Sequence, residues 1–241
     1  MDKNKGINMI SVIKAQTNGN DFIIMLSIKL SNEQIKHICD RHYGIGCDQL
    51  IMFKQINSNT FDLQFYNNDG SIANMCGNGS CAFALFVSKY INKNILEFYI
   101  NVMGTKYKTN ILGEKTSITF QMPYYMEDGS TICTGNYHRV YSMENINNLL
   151  EIQNKYPECN IHFIKENNSN NIVEVITYER GAGRTLACGS GAIAIVFYLN
   201  RSTKIIHEGG MSEVILLSDS IKLITQPEIL FKCNVNPHYF I

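Results

Sequence analysis

Two stretches of the chain set a thiol before glycines and then run into apolar sequence: "MCGNGSCAFALFV" at 75–87 and "ACGSGAIAIVFYL" at 187–199. Each reads Cys-Gly-polar-Gly, with Cys76 in the first and Cys188 in the second. A helix that starts at such a turn leaves its first backbone N–H groups without intrahelical partners, and its dipole adds roughly half a positive charge there. Glycines let that backbone approach a ligand closely. Asn78 and Ser190 are both favoured capping types. Such an end suits a carboxylate or a phosphate, and a cysteine there is expected to have its pKa lowered below the free value of about 8.5.

Two such ends placed face to face would hold a substrate carboxylate between them, with a thiol on either side of the neighbouring carbon. One thiolate then removes the α-proton while the other thiol donates a proton from the opposite face. Inversion at a stereocentre requires an acid and a base placed in that way. The charge of the carbanion spreads into the carboxylate, where both helix ends are aimed. Cys76 and Cys188 are therefore the candidate catalytic pair, and Gly77, Asn78, Gly189 and Ser190 the candidate carboxylate-binding turns. A lone Cys-Gly would read more simply as a buried small hydrophobe. Two copies in matching context favour chemistry.

The context matches because the whole unit is repeated. "FDLQFYNNDG" alternates like a strand and ends on a turn signal before the first cysteine, and "NIVEVITYERGAG" does the same before the second. Strand-like sequence follows each apolar helix: "ILEFYINVMG" and "YKTNIL" after the first, "EVILLSDSIKLIT" after the second. The predicted architecture is α+β: two pseudo-twofold-related domains, each a β-sheet wrapped around a central helix, with the active site in the cleft between them. "TSITFQM" and "HFIKE" set the boundary, giving 1–119 and 120–227, and the last segment, 228–241, is expected to return to the first domain. Asn-rich stretches such as "ENNSNN" (166–171) and "NINNLL" (145–150) read as loops or soft helix edges.

Bulk composition narrows the function classes. Of 241 residues 45% are hydrophobic, enough for a proper core, and Lys+Arg balances Asp+Glu at 21 each. No charge excess points to nucleic acid or an anionic membrane. The start "MDKNKGINMI" carries no signal-like apolar run and no 18-residue apolar stretch occurs, so a cytoplasmic protein is expected. Its eight cysteines are then expected as reduced thiols. They contain no C-x2-C pair, and Cys39, His42 and Cys47 in "CDRHYGIGC" lack a fourth ligand, so no metal is expected. Cys39, Cys47, Cys81, Cys133, Cys159 and Cys233 read as structural.

In order along the chain, "GNDF" (19–22), "DRHYGIGCDQL" (40–50), "FYNNDGSIANMCGNGSCAFA" (65–84), "GNYH" (135–138), "NIHF" (160–163) and "YERGAGRTLACGSGA" (178–192) resemble the cofactor-independent diaminopimelate epimerases. The resemblance spans nearly the whole chain. It implies no pyridoxal phosphate or other cofactor, no metal, and a small-molecule amino-acid substrate as partner; a second copy in a homodimer is the one macromolecular partner considered. Carried over by position, Cys76 and Cys188 resemble the proton-transfer pair, and Gly77, Asn78, Gly189 and Ser190 the backbone donors. Asn20, Gln49, Asn67, Asn136, Asn160, Glu179 and Arg180 match pocket positions, with Arg180 as a bidentate partner for the distal carboxylate. His138 and Glu179 resemble groups that tune the thiols.

Each of these has a plainer alternative: Arg180 beside Glu179 as a surface pair, His138 as a core histidine, Asn20 and Asn67 as turn residues. The chain also departs from the family pattern. Tyr137 replaces a proline, His162 stands where a glycine is typical, and Arg184 reverses an acidic residue, so that it either lowers a thiol pKa or faces solvent. The expected activity is interconversion of LL- and meso-diaminopimelate. The alternatives are a relative acting on histidine or lanthionine through the same thiols, or a binding protein that keeps the fold without chemistry.

Overall fold

The structure, a computed structural model, describes residues 9–167 and 171–236. Residues 168–170 of the "ENNSNN" stretch and 237–241 of the expected returning segment lie outside the described residues. The chain opens with a hairpin of β1 (Ile10–Thr17) and β2 (Asn20–Leu26). Its two-residue turn places Asn18 and Gly19 at φ of 53° and 82°, the left-handed conformation a tight hairpin needs. Helix α1 (Asn32–Cys39) follows, started by a capping box in which Ser31 and Gln34 satisfy each other's backbone N–H. Next come β3 (Gln49–Asn57), β4 (Thr60–Asn67), the short β5 (Ile72–Ala73), α2 (Gly77–Phe86) with a π-helical continuation over Val87–Ile91, β6 (Glu97–Val102), β7 (Thr105–Leu112) and β8 (Lys115–Gln121).

The remaining elements repeat this order. They are β9 (Tyr124–Tyr125), β10 (Ile132–Cys133), β11 (Tyr137–Ser142), a 3-10 segment and α3 (Leu149–Lys155), β12 (Asn160–Asn167), β13 (Ile172–Glu179), β14 (Gly183–Thr185), α4 (Gly189–Leu199), β15 (Thr203–His207), β16 (Gly210–Leu216), β17 (Ser220–Thr225) and β18 (Glu228–Val235). In the first half β2 is parallel to β3, β3 antiparallel to β4 and β4 parallel to β6, after which β6, β7 and β8 run antiparallel. In the second half β11, β12, β13, β15, β16 and β17 take those same relations. Parallel neighbours need a long crossover, and the two Cys-Gly helices supply it: α2 between β4 and β6, α4 between β13 and β15.

The halves join where β8 pairs antiparallel with β17, with Ile118 opposite Leu223. Thr109 faces Ile118 on one side as Val214 faces Leu223 on the other, so these two residues are counterparts and the pseudo-twofold axis passes between them. Strand β18 pairs with β1, Ile10 opposite Val235, which brings the end of the described chain onto the first half.

All ten residues of α2 are buried, and so is α4 from Gly191 to Val196. A helix apolar on every side has no solvent face to offer and must sit inside its sheet. Small residues allow the fit. A Cβ on Gly79 would stand 2.8 Å from the Phe65 ring and 3.1 Å from Phe22. Further along α2, Phe83 packs edge-on or tilted against Phe53, Phe61, Phe86 and Phe98. Among the described residues no helix is long and apolar enough to cross a membrane. Truncating Phe83, which is fully buried, to alanine should lower unfolding free energy by about 3–5 kcal/mol. Urea denaturation checks this, and a loss under 1 kcal/mol would mean that the aromatic cluster is not the core of this half.

Candidate active site

Cys76 and Cys188 are the N-caps of α2 and α4, with nearly identical backbone angles (φ −131°, ψ 111° and φ −127°, ψ 111°). Each sulfur accepts the N–H three residues on, from Gly79 at 3.3 Å and Gly191 at 3.4 Å. The two helix mouths meet. A Cβ on Gly189 would lie 2.9 Å from Asn78 Oδ1 and 3.1 Å from Asn78 N, and one on Gly77 would lie 3.8 Å from the carbonyl carbon of Gly189. Leu223, beside the pseudo-twofold axis, packs within 2.9 Å of that same Gly77 position. Thr17 fixes the turn by donating to the Asn78 carbonyl at 3.1 Å. The Asn78 side chain is 1% exposed, yet neither its oxygen nor its nitrogen has a partner among the described residues.

Cys76 has Asn20 beside it, at the start of β2, with Nδ2 4.0 Å from the sulfur and Oδ1 buried and without a partner among the described residues. Gln49, at the start of β3, donates to Asn67 Oδ1 at 3.0 Å, and Asn67 donates onward to Ser71. Both strand starts are pinned from below by Asp21. It accepts Lys14 at 2.6 Å and a bidentate Arg41, which also bridges to Asp48. Burial would raise the Asp21 pKa, but these cations outweigh it and hold the carboxyl well below its usual range.

Cys188 donates to Glu179 Oε2 at 3.2 Å and lies 3.5 Å from Ser190 Oγ. The other Glu179 oxygen accepts Thr185 Oγ1 at 2.7 Å. Asn160 accepts the backbone N–H of Arg180 at 2.9 Å. The Arg180 guanidinium itself bonds Glu158 at 2.6 Å, with side chains 61% and 68% exposed. Its backbone belongs to the site, while its charge lies in a surface pair. Asn136 is half-buried in the turn before β11, its carbonyl accepting Thr134 N–H at 3.0 Å. Arg184 faces solvent in a bidentate pair with Glu208 and does not reach a thiol.

The diaminopimelate epimerase family profile matches residues 12–127. A diaminopimelate epimerase from Pelagibacter ubique (strain HTCC1062) is 31% identical over 79% of this chain and 83% of its own. The chain belongs to the diaminopimelate epimerase family. A second relative, the diaminopimelate epimerase of Campylobacter jejuni subsp. jejuni serotype O:6, is 37% identical over 75% of this chain and 78% of its own. The protein is thus an isomerase. Among solved structures, a phenazine biosynthesis protein of the PhzF family from Bacillus anthracis superimposes with a TM-score of 0.72 at 11% identity, covering 95% of this chain and 99% of that one. That likeness shows the fold: α+β, in two related domains.

In this epimerase-family site the thiols behave differently from the sequence expectation of lowered pKa values. Burial is the largest effect on both. It pushes Cys76 up to about 12, and the Glu179 charge adds to the rise. Cys188 is driven well above its ordinary value by burial and then by Glu179. The helix N–H groups of Gly79 and Gly191 act in the lowering direction but do not prevail. Glu179 is itself raised by burial, against the hydrogen bonds from Thr185 and Cys188.

The sequence marked His162 only as a departure, and His207 not at all. His138 Nδ1 lies 2.9 Å from His162 Nε2, and His162 Nδ1 lies 3.1 Å from Thr177 Oγ1. His207 Nε2 meets Ser212 at 3.1 Å, and Asn18 from the β1–β2 turn donates to the same hydroxyl. One atom each of His138, His162 and Cys188 falls within 4.8 Å of the others, a grouping that could hold a metal ion. As folded, the two facing ring nitrogens hydrogen-bond each other rather than sharing an outward ligand direction.

Two outcomes are expected. First, Glu179→Gln removes the charge that raises Cys188, so the pH midpoint for iodoacetamide alkylation of Cys188 should move down; an unmoved midpoint would mean that Glu179 does not act on the thiol. Second, burial depresses His138 to about 3, His207 to about 4 and His162 well below 6.5. Below pH 6.5 the unfolded chain takes up protons at these rings that the folded protein excludes. Their contribution to stability is therefore complete above pH 6.5 and lost as pH falls, by up to about 1.4 kcal/mol per pH unit for each histidine. Urea midpoints between pH 7 and 5 test this, and His207→Gln should flatten the slope.

Proposed function

We propose that the enzyme interconverts the LL- and meso-forms of diaminopimelate by two-base proton transfer between Cys76 and Cys188. The observation that carries this is the meeting of two helix N-termini, each capped by a cysteine. In each helix the third N–H is bonded to the cysteine sulfur and the fourth to its carbonyl. The N–H groups of Gly77 and Asn78, and of Gly189 and Ser190, are then the ones left to hold a substrate carboxylate. A proton leaves the α-carbon to one thiolate and arrives from the other thiol on the opposite face, with the negative charge carried on the carboxylate between.

The ground state of the pair, Cys188 buried and Cys76 half-buried, suits this chemistry. Glu179 accepts the Cys188 proton in a hydrogen bond, so that sulfur is held as a thiol until substrate arrives. The bound amino acid replaces water around the reacting groups, and its ammonium offsets the charge of whichever thiolate acts as base. Asn78 and Cys188, at 1% and 5% exposed, are closed to solvent, so entry requires the two halves to part and close again.

A second reading is favoured by one observation: the Arg180 guanidinium is engaged with Glu158 rather than turned to a distal carboxylate. It is an epimerase using the same thiols on another amino acid: histidine, which lacks that second carboxylate, fits this observation, while lanthionine, which carries one, is the other candidate. Proton exchange in D2O, followed by NMR with reductant and no added cofactor, separates the two. Loss of the α-proton signal from LL-diaminopimelate alone supports the first reading. Exchange only on another amino acid overturns the substrate and keeps the mechanism. Cys76→Ser and Cys188→Ser should each lower turnover by at least about a hundredfold, as expected for loss of an acid or base; either variant keeping more than a few per cent of activity would sink the two-thiol mechanism.

A further inference from the structure

Next to the thiol pair, three adjacent strands contribute a buried polar chain that the proton transfer does not itself require. Thr177 on β13 sits directly opposite His162 on β12, and His138 on β11 lies one diagonal step further. Thr177 is 3% exposed and both rings are fully buried. The rings stack with centroids 5.1 Å apart and planes 27° apart. His162 also lies flat against the mouth of α4: a Cβ on Gly191, the residue whose N–H bonds Cys188, would stand 2.3 Å from its Cε1.

Counting protons along the chain selects one tautomer for each ring. Burial keeps both rings neutral, so each bears one N–H. If His138 gave its Nδ1 proton to His162, His162 would have to give its own to Thr177, and the buried Thr177 hydroxyl proton would have no acceptor among the described residues. In the opposite order Thr177 donates to His162 Nδ1, His162 donates from Nε2 to His138 Nδ1, and every proton is used but one. That one is on His138 Nε2, a fully buried atom without a partner among the described residues. The first order strands two buried groups, the Thr177 proton and a bare His138 Nε2, whereas the second strands only the His138 Nε2 proton, which is the less costly arrangement for a buried network.

We propose that His162 is a positioning residue: held by Thr177, it fixes His138 in the tautomer bearing its proton on Nε2, and so offers the site a neutral N–H donor for the Cys188 thiolate. The recipient follows from proximity, since a ring nitrogen of each histidine and Cys188 Sγ lie within 4.8 Å of one another. This rests on Cys188 being a proton-transfer group. Its sulfur faces Glu179 from β13, Ser190 on its own helix and the two histidines from β11 and β12. His207 on β15 is the remaining titratable neighbour of His162, and burial keeps it neutral too. None of these supplies a cation. A donor that stays uncharged down to about pH 3 is then the group that can steady the thiolate across the working range.

The test has two readouts on the full-length protein. Nitrogen-15 NMR of histidine-labelled enzyme reads the tautomers directly: His138 should be protonated on Nε2 and bare on Nδ1. The inverse pattern in the wild type overturns the proposal. Iodoacetamide alkylation of Cys188, followed by peptide mass spectrometry against pH, reads the thiolate. His162→Leu should raise the alkylation midpoint and the acid limb of kcat/KM by about one pH unit, the effect of one neutral hydrogen bond. His162→Gln, whose amide N–H reaches the position of Nε2, should restore both. Unchanged tautomer and midpoint in His162→Leu would leave His162 a packing residue only and overturn the proposal. Should that variant fail to fold, Thr177→Val, which keeps shape and removes the hydroxyl proton, must shift the His138 tautomer in the same direction or the proposal falls. Activity surviving in Cys188→Ser would remove the catalytic reading while leaving the tautomer measurement to stand separately.

Discussion

Everything in this structure is arranged around the contact between two helix N-termini. Each end carries partial positive charge and unpaired N–H groups, so bringing two together is unfavourable in itself. They are held there by neighbours that have no freedom to give. The β8–β17 ladder closes at Ile118 and Leu223 directly beneath, and each helix is enclosed by its own sheet. The contact is close enough that a side chain at 189 would crowd Asn78, and one at 77 would crowd Leu223. Between the two ends lies a buried amide, Asn78, whose side chain has no partner among the described residues. A carboxylate placed there would meet both sets of N–H groups at once, which makes the repulsion of the empty site the affinity of the filled one.

Desolvation competes with that field. An exposed helix end would draw a cysteine toward its thiolate. Closure removes the water that would stabilise the charge, and Glu179 sets a carboxylate beside Cys188, so both thiols are raised instead. The difference bears on the proposed mechanism: the resting pair is protonated, and the charge that would make one sulfur a base would have to be supported when substrate brings its own ammonium and carboxylate. The buried histidines cannot supply a positive charge, because burial strips it from each of them. What they can supply is orientation.

Positioning on the other side of the cleft is electrostatic. Asp21 gathers Lys14, Arg41 and Asp48 into one cluster under the starts of β2 and β3, and from those starts Asn20 reaches Cys76 and Gln49 reaches Asn67. The second half has a different cluster, in which the buried Arg139 of β11 bonds Asp128 at 2.8 Å and lies over the Tyr156 ring. Strand register then sets the site residues, with His138 level with Asn160 and His162 level with Thr177. The two halves therefore share a fold and a cysteine cap but differ in what surrounds the cap: Asn20 beside Cys76, and Glu179 with the histidine pair beside Cys188.

Much of this was legible in the sequence, because local rules decide it. A Cys-Gly-polar-Gly turn before an all-apolar run marks a buried helix and its start, and alternating segments such as "FDLQFYN" and "NIVEVITYE" mark strands whose repetition implies the pseudo-twofold. The pairing of β18 with β1 and the register of β8 on β17 are long-range matters that no local pattern encodes. Only the tertiary structure decided that the Arg180 guanidinium turns to Glu158 while its backbone serves Asn160, and that Arg184 spends its charge on Glu208. His162 shows the limit most clearly. Its identity was visible as an oddity, but its partners Thr177, His138 and Gly191 come from three other elements of the fold. The thiol pKa values lay beyond the sequence for the same reason: the helix end is a local feature, whereas burial is a property of the assembled fold, and in this site burial is the stronger of the two.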